Sequence, residues 1–114
     1  ISVVTDQISN PTFNLQIVRA IFQCIIMDFE GILHIGSDDY MSRYEFALDI
    51  AKVFGFDSAL ITKIDTDSLT QKVKSYIAKR PLNSGLVVSK IEKELNTSSH
   101  STNYNLKLLK SSLN

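Results

Sequence analysis

With 114 residues, 44% of them apolar and 21% charged, the chain has the composition of one small folded domain and not of a disordered segment. Twelve basic and twelve acidic side chains cancel, which removes the electrostatic footprint expected of a nucleic-acid or anionic-membrane partner. The single cysteine, Cys24, excludes an internal disulfide and, in its apolar run, reads as a buried structural thiol.

The apolar runs are broken at Gln23 and Asp28, short of the roughly 20 residues of a membrane span. No basic start and apolar core of a signal peptide opens the chain, so a reducing, cytoplasmic setting is expected. The first residue is Ile, which suits an excised or processed piece.

Residues 2–4 predict a short extended segment running into a polar corner. Asn10-Pro11 breaks the backbone there, because the residue before a proline is driven out of helical geometry. A helix is predicted from Pro11 or Thr12 to Met27. Its polar positions Gln16, Arg19 and Gln23 form one thin stripe on an otherwise apolar cylinder, so the helix is expected to be covered on more than one side. Residues 31–35 predict a short buried strand, with His34 as a hydrogen-bonded core residue and Gly36-Ser37-Asp38-Asp39 as the turn out of it.

The next helix is the plainest element. Ser42 and Glu45 have capping-box spacing, Gly55 after Phe54 suits a left-handed cap, and the narrow polar stripe again predicts an enclosed helix. Residues 60–64 predict a second short strand and 66–79 a polar loop with a helical turn. Residues 86–88 read as extended, and Ser89 with Glu92 repeats the capping box for a helix through Leu95. A loop or linker over 96–103 precedes a last helix over 104–113, with Leu106, Leu109 and Leu113 on one side.

Chemistry is sparse. The glycines at 31, 36, 55 and 85 never fall in the G-x-G-x-x-G spacing that brings backbone up to a pyrophosphate, and no G-x-S-x-G elbow supports a hydrolase. Tyr76 and Tyr104 each stand three residues before a lysine, Lys79 and Lys107. His34 and His100 are too few and too separated for a metal site, and Asp28, Glu30, Asp38 and Asp39 lack calcium-loop spacing. What remains lies in two polar runs. Arg80, held extended by Pro81, either offers paired hydrogen bonds to a diphosphate or clamps loop carbonyls. Asn83 and Ser84 either orient sugar or nucleotide hydroxyls or cap their own turn. Asp6 and Gln7 either reach into a cleft, or Asp6 terminates the corner while Thr12 caps the first helix.

Those runs are Asp6-Gln7-Ile8-Ser9-Asn10-Pro11-Thr12 and Arg80-Pro81-Leu82-Asn83-Ser84. Between them lie Gly31-Ile32-Leu33-His34-Ile35-Gly36 and Ser42-Arg43-Tyr44-Glu45-Phe46-Ala47. In this order and spacing they resemble the C-terminal, substrate-side part of dTDP-4-dehydrorhamnose reductases, members of the extended short-chain dehydrogenase/reductase superfamily. The resemblance runs from Val3 to about Lys90 and weakens after Leu95. It implies an α/β lobe of about four helices and a few short strands, one partial domain over 1–114, whose residues 31–35 extend the parallel sheet of an absent Rossmann half.

In that resemblance Gln7, Arg80 and Asn83 are the substrate-binding residues. The chain itself holds no catalytic residue, cofactor-binding residue or metal ligand. The absent half would supply the Tyr-x-x-x-Lys pair and the NADPH or NADH. The implied parent reaction takes dTDP-4-dehydro-L-rhamnose to dTDP-L-rhamnose, and the fragment alone is expected to be inactive. Two positions depart from the family pattern: Ser9 replaces a usual glycine, and Tyr104 stands for an aromatic residue expected before the last helix. The alternative is the lobe of a noncatalytic regulatory subunit, like the beta subunit of methionine adenosyltransferase, which shares an Arg-Pro-x-Asn run. A third reading is an interaction domain that forms homo-oligomers through exposed apolar faces.

Overall fold

A computed structural model describes residues 1–73 and 78–113; Tyr76, and with it the Tyr76–Lys79 spacing, lies outside them. Among the described residues are four short strands, β1 (Ser2–Val4), β2 (Ile8–Ser9), β3 (Met41–Ser42) and β4 (Thr62–Ile64). Five helices accompany them: α1 (Asn14–Ile26), α2 (Arg43–Phe54), α3 (Thr66–Lys72), α4 (Lys90–Glu94) and α5 (Thr102–Ser112). The fold is the expected α/β lobe, with one helix more than expected. β1 pairs in parallel with β4, Val4 opposite Ile64, and β2 pairs antiparallel with β3, Ile8 opposite Ser42. No helix among the described residues is long and apolar enough to cross a membrane.

Local chemistry fixes α2 at both ends. The Ser42 hydroxyl accepts from Glu45 N at 3.1 Å while the Glu45 carboxylate accepts from Ser42 N at 2.7 Å. The bond from Ser42 N first, and a second from the Ser42 hydroxyl to the carboxylate at 2.8 Å, hold the Glu45 carboxyl below its ordinary range. Gly55, at φ +78°, ends the helix in the left-handed conformation that a side chain disfavours. α2 lies against α5 and β1 and is half-buried along most of its length, less enclosed than expected. Lys110 Nζ, from α5, donates to the Val53 carbonyl at 2.7 Å and fastens the two helices.

α1 is too apolar for a chain of this size to cover on every side, and one apolar side is left bare. Gln16 and Ala20 face inward, whereas Val18, Ile21, Phe22, Ile25 and Ile26 face outward, Phe22 at 62% exposure and Ile25 at 70%. The contacts inside the chain thus use the small and polar side of the helix, Gln16, Ala20 and Cys24, and the larger apolar side is left bare. Ala20 joins Ile91 and Leu95 in a small core, with Cys24, partly buried, beside it.

Other elements differ in ways that their surroundings explain. Residues 31–35 keep a strand's alternation, Leu33 and Ile35 packed on the core and Ile32 outward at 78% exposure, but they form no strand. A strand requires a paired edge, and the one bond that reaches them among the described residues is from Lys90 Nζ to Ile32 O. His34, expected in the core, is exposed for the same reason. Ser89 does not cap α4, because its backbone is already helical (φ −60°, ψ −19°) and its hydroxyl makes no cap bond. α3 is a seven-residue helix where a loop with a helical turn was expected, its first turn closed by the Asp65 carboxylate accepting from Ser68 N at 2.8 Å. α5 starts two residues early, capped by the Ser101 hydroxyl, and Leu113 at its end is exposed.

The chain is extended for its length. Its radius of gyration is 16.5 Å, against about 13 Å for a compact domain of this size. Its accessible surface is 8038 Å², against about 6,300 Å² expected for a monomer of this mass.

The corner between β2 and α1 is closed by Asn10. Its amide donates to Ser37 O at 2.8 Å and accepts from Leu86 N at 2.6 Å, joining three distant segments. Gly36 lies against it, and a Cβ there would stand 2.9 Å from the Asn10 Cβ, closer than real Cβ atoms approach. Gly36→Ala is therefore expected to cost about 1–3 kcal/mol in urea unfolding, by overpacking a joint that its hydrogen bonds hold still.

Candidate functional site

The two polar runs meet through backbone pairing. One edge of Ile8 pairs with Ser42, and Arg43 N donates to Gln7 O at 3.1 Å. The other edge takes Asn83 as a parallel bridge: Ile8 N donates to Leu82 O at 2.7 Å and Ser84 N to Ile8 O at 2.9 Å. Three segments more than thirty residues apart thus form one ribbon, with Ile8 in the middle. Directly opposed residues share a face and successive residues alternate. Gln7, Arg43 and Leu82 accordingly fall on one face, and Asn83 falls on the other with Ile8.

The first face opens on a cleft of about 630 Å³ lined by Gln7, Arg43, Arg80 and Leu82, with Val4 of β1 at its base and Thr66 of α3 opposite. A smaller depression of about 160 Å³, lined in part by Ser9 and Ser84, shares Gln7, Arg43 and Arg80 with it. Lys79 also lines the larger cleft, and Asp67 is the one acidic residue among its described walls. Among the described residues, three cations against one carboxylate make the cleft locally positive, in a chain whose total charge is zero. No group of three or more potential metal ligands occurs among the described residues.

Each anchoring residue has a definite place. Gln7 is buried, and its amide donates to the Thr66 hydroxyl at 3.0 Å. It therefore braces the cleft wall while lining it. Thr66 donates in turn to Asp6, from its hydroxyl at 2.8 Å and from its backbone N–H at 3.1 and 3.2 Å. The hydroxyl bond first, then the backbone bond, hold the Asp6 carboxyl below its ordinary range. Asp6 thus ties the corner to the start of α3. Thr12 donates to Asn10 O at 3.1 Å and makes no cap for α1.

Arg80 is exposed and lines both depressions. Asn83 lines neither; its side chain closes its own turn by accepting from Gly85 N at 3.1 Å. Of the three residues singled out for substrate, the fold brings Gln7 and Arg80 together and turns Asn83 away.

Arg43 and Lys79 are the cleft residues that the sequence alone did not single out. Arg43 reads locally as the solvated side of a capping box, and only the Ile8–Ser42 register sets it across from Gln7. Lys79 adjoins Arg80, and its neighbour's proline was the sole local signal.

The fold has known counterparts. A crystal structure of dTDP-4-dehydrorhamnose reductase from Bacillus anthracis str. Ames, in complex with NADP, superposes with a TM-score of 0.85 at 22% identity, over 98% of this chain and 38% of that one. A dTDP-4-dehydrorhamnose reductase ortholog from Clostridium acetobutylicum gives 0.82 at 24% identity, over 99% of this chain and 38% of its own. A hypothetical dTDP-4-dehydrorhamnose reductase from Sulfolobus tokodaii gives 0.69 at 26% identity, over 88% of this chain and 34% of its own. The chain therefore spans little more than a third of the length of these structures. No curated protein sequence matches it significantly. The family model described as the RmlD substrate binding domain matches residues 1–113, and the chain belongs to that family.

Proposed function

We propose that this chain is the substrate-binding lobe of an NAD(P)H-dependent reductase, NADPH being the expected donor, that acts on a nucleotide-linked keto-deoxysugar and converts dTDP-4-dehydro-L-rhamnose to dTDP-L-rhamnose. The observation that carries this is the cationic cleft, where Arg80 and Gln7 share a wall although 73 positions separate them in sequence. A guanidinium forks onto phosphate oxygens in two parallel hydrogen bonds, so Arg80 holds the diphosphate. Gln7 orients the sugar through its remaining carbonyl oxygen, and Asn83 acts through its backbone bridge to Ile8, which fixes the segment that follows Arg80.

This chain does not fit the nicotinamide cofactor. Its glycines lack the dinucleotide spacing, and its two-stranded sheets form no crevice between parallel strands. The cofactor and the Tyr-x-x-x-Lys pair belong to an N-terminal Rossmann half. That half covers the bare side of α1 and supplies the edge that residues 31–35 lack. Support comes from those two features together with the 38% coverage of the Bacillus anthracis enzyme.

The test is nicotinamide oxidation, followed by absorbance, in the longer protein with dTDP-4-dehydro-L-rhamnose. Arg80→Gln is expected to raise KM about tenfold or more, the loss of a charge-assisted hydrogen-bond pair, with kcat changed much less. A longer protein that carries the tyrosine–lysine pair and shows no turnover would reject the reading in favour of a regulatory subunit.

A further inference from the structure

We propose that Arg43, which lies in neither polar run, is the second arm of the diphosphate site and sets its preference for a diphosphate over a single phosphate. The inference rests on the reading of the cleft as a nucleotide-sugar site.

The ribbon carries the argument. Arg43 stands directly across from Gln7 on one edge, its N–H donating to Gln7 O at 3.1 Å. On the other edge the Ile8–Asn83 bridge sets Leu82 opposite Gln7, and Arg80, two residues before it and beyond the bend at Leu82, lines the same cleft. Neighbouring extended segments lie about 4.8 Å apart, so two such steps, about 10 Å across the ribbon, separate the segments from which the two guanidiniums start, and Arg80 lies two residues further along it. Both side chains nevertheless line the 630 Å³ cleft and the 160 Å³ depression beside it. They lean over the same space from opposite sides.

Charge points the same way. Among the described residues Asp67 is the single carboxylate on the cleft wall; Asp6 is spent on Thr66. Two guanidiniums and the Lys79 ammonium facing one space repel one another unless an anion stands between them. One fork satisfies one phosphate group, and two forks on opposite sides match two phosphates in tandem. A lysine at position 43 would keep the charge and lose the fork. Arg43 is thus a binding residue that reads the length of the anion, not only its charge.

The test is calorimetric titration of the 114-residue chain with inorganic pyrophosphate and, separately, inorganic phosphate, with circular-dichroism melts to show that each variant is folded. The wild-type chain is expected to bind pyrophosphate about tenfold more tightly than phosphate. Arg43→Gln should weaken pyrophosphate about tenfold and phosphate less than about threefold, collapsing the preference, and Arg43→Lys should recover only part of it. Arg19→Gln, on α1 and outside the cleft, controls for net charge. Equal losses in Arg43→Gln and Arg19→Gln would overturn the inference. So would pyrophosphate affinity that survives Arg43→Gln but disappears in Arg80→Gln, which leaves the nucleotide-sugar reading standing. A wild-type chain that binds no pyrophosphate at all overturns both.

Discussion

Ile25→Asp is expected to leave the stability of the 114-residue chain within about 0.5 kcal/mol of wild type and to destabilise the longer protein by about 3 kcal/mol or more. In this chain Ile25 is 70% exposed and sits in a continuous outer stripe with Val18, Ile21 and Phe22. A carboxylate there keeps its water, and surface substitutions of that kind are close to neutral. If a Rossmann half covers α1, the same carboxylate is taken out of water with no partner, which is among the few single changes that cost several kcal/mol. Urea unfolding of both proteins gives the comparison, with Arg19→Asp as the control. Equal tolerance in the two would mean that the outer side of α1 meets solvent in the longer protein as well, and the covering half would have to dock elsewhere. The lone chain should also gain from the change in one respect. An apolar stripe of this extent favours self-association, so size-exclusion chromatography should show Ile25→Asp eluting later, as a smaller species, at high concentration.

The same helix shows where reading a sequence succeeds and where it stops. Its length and position were legible, since proline, polar corner and apolar run are local signals. Its orientation was not. An apolar cylinder with a thin polar stripe does not say which side its own chain will take, and here Gln16 and Ala20 turned inward. Residues 31–35 make the same point for strands: their alternation was legible and is present, but hydrogen bonding needs a partner that the pattern cannot specify. The capping box of α2 was fully legible because Ser42 and Glu45 act within one turn. Asp65 and Ser68 give an equally local signal for α3, but its weak apolar pattern supported only a helical turn within a loop. For the site, Arg80 was legible through its proline. Arg43 was not, because its neighbourhood with Gln7 comes from a strand register between residues 8 and 42.

Ile91→Ala is expected to cost about 3 kcal/mol, within the range for an aliphatic side chain cut back to alanine in a closed core. Ile91 is 1% exposed and packs with Ala20 of α1 and Leu95, while Leu33 and Ile35 lean on the same cluster. These contacts fasten α4 to α1 and to the unpaired segment 31–35. The chain's large surface for its mass leaves little other buried material to compensate. A small domain has only about 5–15 kcal/mol of stability in total, and a lobe this open belongs near the low end, so the urea midpoint should fall steeply. Leu113→Ala, at a side chain 68% exposed, should change it by less than about 0.5 kcal/mol. The cleft is built on the ribbon around Ile8 and on α3, away from this cluster. Pyrophosphate affinity of the folded Ile91→Ala chain should therefore stay near the wild-type value even as stability drops. Loss of binding in parallel with stability would mean that the α1–α4 core and the cleft are one cooperative unit, and the separation argued from the ribbon would not hold.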